Sequence, residues 1–542
     1  MESQKKIRIG FLLNSLNIPI WQYKAIVKLK DLPYVSLDLV VVNKEQKRKS
    51  KKKYATLFKK IIYLIYEKID NSVFGKNVDL FSIVDSSQVF TNSNVIHIRP
   101  YYKGISTYIK DTDLEKIKSY ELDIIVRFGF GIIKGDILNI PKKGVWSFHH
   151  GDNRYVRGSA PCFWEMYTNK TEIGLTLQEL SSELDGGKVL YKSYSSLDRF
   201  SLSKNRNKIY SNSIPVLERL VKKIHNKGEI EYKKELIDIY DQPLYKNPTN
   251  LIAFIFLIRL VYRMLKKVIL GFFVTEKWHL TYAKNTFPKL DGKKFKVIKS
   301  PKNKFWADPF LLDKDSESYV FFEEYCEKLE KGNISVIKFD DLISKKINKS
   351  QIIIDEDFHL SYPNIFEKDG VYYIVPESSE ANEIRLYECI EFPFKWKYKR
   401  PIMENVKAWD PTFFFKDDKW WLFVNMTTHK YSPSSDELFL FYSDDILSNN
   451  WISHPLNPII TDVKRSRCAG KIFEFEGHII RPSQNCGPRY GYGLVFNKIS
   501  ILTETDYQEE VIDQLSPEFS KTANCIHTFN KDNKYIISDI HQ

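Results

Sequence analysis

From residue 277 onward the chain repeats one short pattern, and a repeat of this kind leaves few folds open. WADPFLLDKDSESYVFFEEY (306–325), SYPNIFEKDGVYYIVPES (361–378) and WDPTFFFKDDKWWLFVN (409–425) each read as a strand, a polar turn and an aromatic strand. AGKIFEFEGHIIRPSQ (469–484) and IHTFNKDNKYIISDI (526–540) follow more loosely. The turns fall near 315, 369, 417, 476 and 532, about fifty to sixty residues apart. Several strands per unit at that period indicate an all-β propeller, and five units give five blades. Asp308 and Asp410, each ahead of a proline, hold equivalent positions in the repeat, and Glu324 and Glu377 follow the paired strands. Carboxylates from different blades suit glycosidic acid–base work, while an Asp-Pro pair also suits a turn. Sugar binding, with Trp306, Trp409, Trp420 and Trp421 as flat apolar faces, fits the pattern better, and Asp308 and Asp410 are assigned to it.

The first half is built differently. KIRIGFLLN (6–14) reads as a strand, IWQYKAIVKLKDL (20–32) has helical spacing of Trp21, Ala25, Ile26 and Leu29, and VSLDLVVVN (35–43) is a second strand. Strand, helix, strand at this spacing begins a doubly wound α/β fold. No GxGxxG follows the first strand, so a dinucleotide site has little support. Residues 54–69 form an amphipathic pattern, and residues 201–247 are polar and helical around VLERLVKKI.

A chain of 542 residues holds two or more domains. Its 82 Lys and Arg against 68 Asp and Glu give a net charge of +14, part of it in KEQKRKSKKK (44–53). Such a run is a solvated loop or attracts phosphates and anionic membrane. No base-reading motif accompanies it, so nucleic acid is not expected. The six cysteines lack metal-ligand spacing, which argues for a reducing compartment and against a metal site or disulfide scaffold. The N-terminus enters a strand without a signal peptide's apolar core. A cytoplasmic protein is expected, with room for peripheral association at the inner membrane face.

LIAFIFLIRLVYRMLKKVILGFFV (251–274) is the most apolar run, yet Arg259, Arg263, Lys266 and Lys267 lie inside it on one helical face. Charges at that depth make a span costly. Two readings stand: an interfacial helix on anionic lipid, or a linker helix packed between domains. The expected boundaries are a catalytic domain at 1–240, this helix at 241–276 and the propeller at 277–542.

The densest chemistry lies in 121–190. DIIVRFGFGII (123–133) is a buried strand entering a Gly turn. VWSFHHGDNRYVRGSAP (145–161) sets His149 and His150 at a strand end. GLTLQELSSELDGGKVLY (174–191) offers Asp185 between two strands. A histidine and an aspartate on loops at strand tips suit acid–base chemistry. These segments resemble the folate-dependent formyltransferases, a group that includes methionyl-tRNA formyltransferase, glycinamide ribonucleotide transformylase and the sugar N-formyltransferases. The family pattern is a strand and Gly turn, Asn-x-His, Arg-Gly-x-x-Pro, Gly-x-Thr and Asp-x-Gly. It places the family histidine on His149 and the aspartate on Asp185. Arg157, Gly158, Pro161, Gly174 and Thr176 also match, while Ser147 stands where the family has asparagine.

That resemblance implies N10-formyltetrahydrofolate as co-substrate, with no metal. His149 would shuttle the proton, Asp185 would orient it, and Ser147, or His150 or Asn153, would take the oxyanion role. The turn Phe128, Gly129, Phe130 and Gly131, with Asp185, would hold the folate, and Asn153 and Arg157 the acceptor. A tRNA acceptor is disfavoured, since no basic barrel follows. Residues 277–542 resemble a second family, the five-bladed glycosidase-like propeller found at the N-terminus of plant glucosamine inositolphosphorylceramide transferase. The pairing implies N-formylation of an amino sugar, nucleotide- or lipid-linked, in surface-glycan synthesis. Alternatives are a silent formyltransferase fold with a glycan-binding propeller, and a propeller that acts as glycosidase or assists glycosyl transfer.

Overall fold

A computed structural model describes residues 6–44, 57–75, 80–183, 186–232, 243–273, 277–427, 433–517 and 523–542. The basic run 44–53 falls outside these residues apart from Lys44. Two compact units emerge, Met1–Val268 and Ile269–Gln542.

The first unit is built on seven strands: β1 (Ile7–Leu13), β2 (Val35–Asn43), β3 (Asn94–Ile98), β4 (Ile124–Arg127), β5 (Val145–His149), β6 (Glu172–Glu179) and β7 (Lys188–Ser196). Their order is β7-β6-β5-β4-β1-β2-β3. The five from β5 to β3 run parallel, and β6 and β7 are antiparallel additions. Strand order reverses at β1, so the carboxyl ends of β1 and β4 flank a topological switch point, where ligands bind in such sheets.

Alternation along β1 explains the two layers. Ile9, Phe11 and Leu13 enter one core with helices α1 (Ile20–Lys30), α2 (Ile61–Phe74), α4 (Leu202–Ser213), α5 (Val216–Lys227) and α6 (Asn250–Phe273). Leu12 enters the other with Leu39, Val41 and Ile125, against α3 (Asp111–Lys118).

The amphipathic pattern at 54–69 is helical at 57–58 and, after a turn at 59–60, over Ile61–Phe74, while 54–56 lie outside the described residues. The start of α2 is fixed from a distance: Asn250 Oδ1 accepts from Ile62 N at 3.1 Å. Local periodicity carries no trace of that contact. One sequence expectation needs correction here: the apolar run at 251–274 is not a separate linker. It buries Ala253, Phe256 and Leu260 in the first unit's core, and its residues through Val268 belong to that unit.

The second unit is a five-bladed propeller. Blade I comprises Lys304–Lys314, Glu317–Cys326, Lys331–Lys338 and Gln351–Ile354. Blade II comprises Ser361–Lys368, Val371–Glu377, Glu383–Glu391 and Lys395–Glu404, and blade III comprises Ala408–Lys416, Lys419–Met426, Leu438–Ser443 and Ile452–Ser453. Blade IV comprises Arg467–Cys468, His478–Asn485, Gly493–Leu502 and Tyr507–Leu515, with Phe473–Phe475 added. Blade V is assembled from both ends of the unit: Phe529–Lys531 and Tyr535–His541 pair onward with Trp278–Lys284 and Lys296–Ile298.

The repeated turns have a shared cause. Asp315-Ser316, Asp369-Gly370, Asp417-Asp418 and Glu476-Gly477 all have positive φ at both residues. Two such residues match the twist of a tight hairpin, which is why Asp and Gly recur there. In the innermost strands, Asp308, Tyr362 and Asp410 each precede proline, each have φ near 50°, and each sit at a register shift. The same local bulge therefore turns one side chain per blade out of the ladder.

Candidate functional site

Parallel pairing of β4 with β5 sets Arg127 beside Ser147. The Arg127 guanidinium donates to the Ser147 Oγ from Nε at 3.0 Å and Nη2 at 2.8 Å, and also to the Gly131 carbonyl. Two residues on, the His149 Nε2 lies 2.8 Å from the Val156 carbonyl. A carbonyl only accepts, so Nε2 carries the proton and Nδ1 is left as the basic nitrogen.

These groups open on one cavity of about 570 Å³. Ile105, Ile132, Ile133 and Leu180 give it apolar walls. Arg127, Ser147, His149, His150, Gln178, Lys134 and Lys246 supply polar ones. Gln178 Oε1 is buried and makes no hydrogen bond among the described residues.

The loop carrying His149 is pinned by the motif residues. Gly174 admits the Asp152 backbone, which a Cβ would approach to 2.7 Å, and Thr176 Oγ1 donates to the Gly151 carbonyl at 3.0 Å. Gly158 (φ 95°) lets the loop pair with Leu244–Tyr245, where a Cβ would come within 2.2 Å of the Tyr245 carbonyl oxygen. Asp152 anchors the centre: Arg154 Nη2 lies 2.8 Å away, Lys192 Nζ 3.1 Å and Tyr194 Oη 3.1 Å. Burial alone would raise this carboxyl, but Arg154 and Lys192 outweigh it and hold it near 2.

The structure brings Ser147, His149 and His150 to the cavity and places several other assigned residues elsewhere. Gly131 lines it. Phe128 packs instead among Phe11, Trp21 and Phe148, and Phe130 is buried in the opposite core. Gly129 lies against Asn14. Asn153 and Arg157 are buried within the loop. Asp185 lies outside the described residues. His150 stacks on Tyr210 at 3.7 Å and contacts Ser213 Oγ at 3.1 Å. Burial, then the neighbouring His149, push its imidazole down to about 3, so it stays neutral. Arg127 was legible only as one charge in an apolar strand.

In the propeller a second polar cluster gathers carboxylates from the first two strands of several blades. Asp410 is paired with Arg467 (Nε to Oδ2, 2.6 Å) and accepts from Gln484 Nε2 at 3.2 Å. Asp308 accepts from Thr528 Oγ1 at 2.7 Å, and its backbone N–H donates to Asp539 Oδ2 at 2.8 Å. His527 sits between these last two acids, 3.4 Å from Asp308 and 2.7 Å from Asp539, with Trp278 stacked on it at 4.0 Å. Asp308, His527 and Asp539 thus present ligand-type atoms within 4.8 Å of one another, engaged with each other. Glu323 joins this group, whereas Glu324 faces away to Trp306 Nε1 (2.9 Å) and Lys304 (2.5 Å). Trp306 and Trp421 are buried in the blades, which removes them as sugar platforms.

This cluster sets a pH dependence. Burial would lower His527, but Asp539 and Asp308 outweigh it and raise it to about 9. Burial, with Asp539 and Asp410, raises Asp308 to about 7. Both groups hold a proton more tightly when folded. The His527 contribution is complete below the ordinary histidine value near 6.5 and is lost as pH rises through 9; the Asp308 contribution is lost through 7. The second unit's unfolding temperature is therefore expected to fall between pH 6.5 and 9, and His527→Gln to flatten that slope. A midpoint rising across this window in thermal scans would contradict the assignment.

Comparisons with known proteins find two kinds of relative. In sequence, a 93-residue stretch is 37% identical to methionyl-tRNA formyltransferase of Prochlorococcus marinus, covering 17% of this chain and 27% of that protein. A 222-residue stretch is 32% identical to glucosamine inositolphosphorylceramide transferase 1 of Oryza sativa subsp. japonica, covering 41% of this chain and 29% of that protein. The chain thus spans less than a third of the length of either relative. Among solved structures, glycinamide ribonucleotide transformylase 1 from Symbiobacterium toebii aligns over 42% of this chain and 91% of its own, at 12% identity and a TM-score of 0.29. Residues 288–535, all within the second unit, match the family model described as glucosamine inositolphosphorylceramide transferase 1, N-terminal.

Proposed function

We propose that the first unit moves a formyl group from N10-formyltetrahydrofolate to the amine of a nucleotide- or lipid-linked amino sugar. The observation that supports this most is the convergence of His149, Ser147 and Arg127 on one cavity at the carboxyl ends of the parallel strands β4 and β5. Its apolar walls and the unpartnered Gln178 Oε1 suit a flat ring bearing N–H donors.

In the transfer, the amine nitrogen bonds to the formyl carbon, a tetrahedral oxyanion forms, and the donor carbon–nitrogen bond then breaks. His149 Nδ1 takes the amine's proton and returns one to the leaving nitrogen, while the Val156 carbonyl holds the ring's tautomer. Ser147 accepts from Arg127 and keeps its own O–H as a donor. The pair therefore delivers a hydrogen bond and a fixed positive charge where the family uses an amide. Lys134 and Lys246 at the same cavity suit a phosphate-bearing acceptor. An amino sugar agrees with the glucosamine in the name of the second unit's relative.

Titration with 5-formyltetrahydrofolate followed by an amino-sugar panel, read as tetrahydrofolate release, tests the reading. Micromolar folate binding and transfer to one acceptor class are expected. Folate binding with every amino sugar refused would reject the acceptor; no folate binding would reject the donor. Arg127→Ala is expected to lower kcat about 10²- to 10³-fold, the loss typical of one oxyanion-stabilising group. A loss confined to KM would assign Arg127 to binding alone.

A further inference from the structure

Helices α2 and α6 lie side by side on the first unit, joined at one residue. Asn250 N donates to the Lys59 carbonyl at 2.9 Å, its Nδ2 donates to the Phe58 carbonyl at 2.7 Å, and its Oδ1 caps Ile62 N. Each helix buries one face and leaves an apolar face outward. On α6, Phe254, Ile258, Val261, Leu265 and Val268 are 54–58% exposed. On α2, Ile65, Ile69 and Val73 recur every four residues at 54–60%, and Phe58 just ahead reaches 71%. The groove between the helices, about 420 Å³, is lined by Ile65, Ile69, Val73, Leu257, Leu260 and Met264, so the two faces form one apolar surface. Apolar side chains scattered singly over a surface are ordinary, but a continuous patch of this kind marks an interaction site.

The charges say what kind. At 100° per residue the outward arc of α6 from Val261 to Ile255 is apolar apart from the Tyr262 hydroxyl. Lys266, Arg259, Arg263 and Lys267 follow along one border. Arg263 Nη2 donates to the Met166 carbonyl at 3.2 Å, and Arg259 and Lys267 lie 5.0 Å over the Tyr167 and Phe200 rings, which keeps these cations beside the apolar face rather than within it. Asn250–Phe273 contains no Asp or Glu, and Lys59 and Lys68 are exposed on and just before α2. No helix among the described residues is long and apolar enough to cross a membrane. The one acid lining the groove among the described residues, Asp70, is buried and accepts from Ser203 N at 2.6 Å. An apolar face bordered by cations instead suits the boundary between headgroups and acyl chains of anionic lipid.

We propose that α2 and α6 together dock this chain flat on an anionic bilayer, with their apolar faces in the headgroup–acyl boundary and the α6 cations against lipid phosphates. The surface is separate from the catalytic cavity, so this docking stands or falls independently of formyl transfer.

The full chain would be floated with phosphatidylcholine vesicles, with and without about 30% phosphatidylglycerol. Binding to the anionic vesicles alone, weakened by salt, is expected. Ile65→Asp combined with Val261→Asp should lower it at least about ten-fold, since both positions are exposed and their burial in lipid is what drives docking. Arg259→Gln with Lys266→Gln should reduce anionic binding about ten-fold while leaving the thermal midpoint unchanged. Failure to float with anionic vesicles, or unchanged flotation of the Asp variant, would overturn the proposal. So would a wild-type dimer in light scattering that the same Asp substitutions convert to monomer, which would give the face to a second copy.

Discussion

His149→Gln is expected to lower single-turnover formyl transfer about 10²- to 10⁴-fold while binding of 5-formyltetrahydrofolate stays close to wild type. The split follows from geometry. The Val156 carbonyl fixes the ring's proton on Nε2, and the glutamine amide reaches that position and can still donate there, so the loop keeps its shape. What glutamine lacks is a second nitrogen able to gain and lose a proton near neutral pH. The loop itself rests on Asp152, with Arg154, Lys192 and Tyr194 around it, and none of these contacts involves His149. A rate within about tenfold of wild type would remove His149 from the chemistry.

Glu509→Gln should destabilise the propeller by about 3–5 kcal/mol, the range for breaking a buried ion pair by removing one partner. Arg481 and Glu509 side chains are each only 1% exposed and meet through two bonds of 2.8 Å. Tyr507 Oη donates to the same carboxylate at 2.5 Å, and Arg465 approaches to 3.4 Å. Burial would raise the Glu509 carboxyl, yet Arg481 prevails and holds it below its ordinary value. That stabilisation is present above the unfolded glutamate value and is lost as pH falls through the folded one. Glutamine keeps the shape but strands a buried guanidinium. For a unit of this size the loss corresponds to a drop of about 6–20 °C in unfolding temperature. Paired replacement of both residues by methionine is expected to cost less, because no lone charge remains. A shift below about 2 °C for Glu509→Gln would mean that the pair contributes little.

What the sequence made legible depended on range. The hairpin turns at 315, 369, 417 and 476 could be read because φ > 0 at two successive residues favours Asp, Asn or Gly locally, even though Ser316 and Glu476 also adopt it. His149 and Ser147 could be placed because strand, loop and motif lie within one short stretch. The closure of blade V could not, since Trp278 pairs with His541 and no local pattern records a partner that distant. Arg127 was passed over for a similar reason. Its meaning comes from the register of β4 against β5, which sets it beside Ser147. Glu324 was read as the inward acid when its neighbour Glu323 joins the cluster; a shift of one residue along a strand reverses the face. The exposed face of α2 and α6 was half visible, because the basic stripe of α6 stands in the sequence but its neighbour helix does not.

Blade V also fixes a timetable. Trp278–Lys284 leaves the ribosome long before Tyr535–His541, its partner strand, exists. At 5–20 residues per second that interval is roughly 13–50 s. For that time the first blade's Asp308 lacks the Asp539 and Thr528 groups that hold it. The first unit, whose β1-to-β7 sheet is complete within the first 196 residues, has every partner it needs by then. The nascent chain therefore carries a finished α/β sheet ahead of an open ring, and a helper that shields unpaired strands would act on the second unit alone.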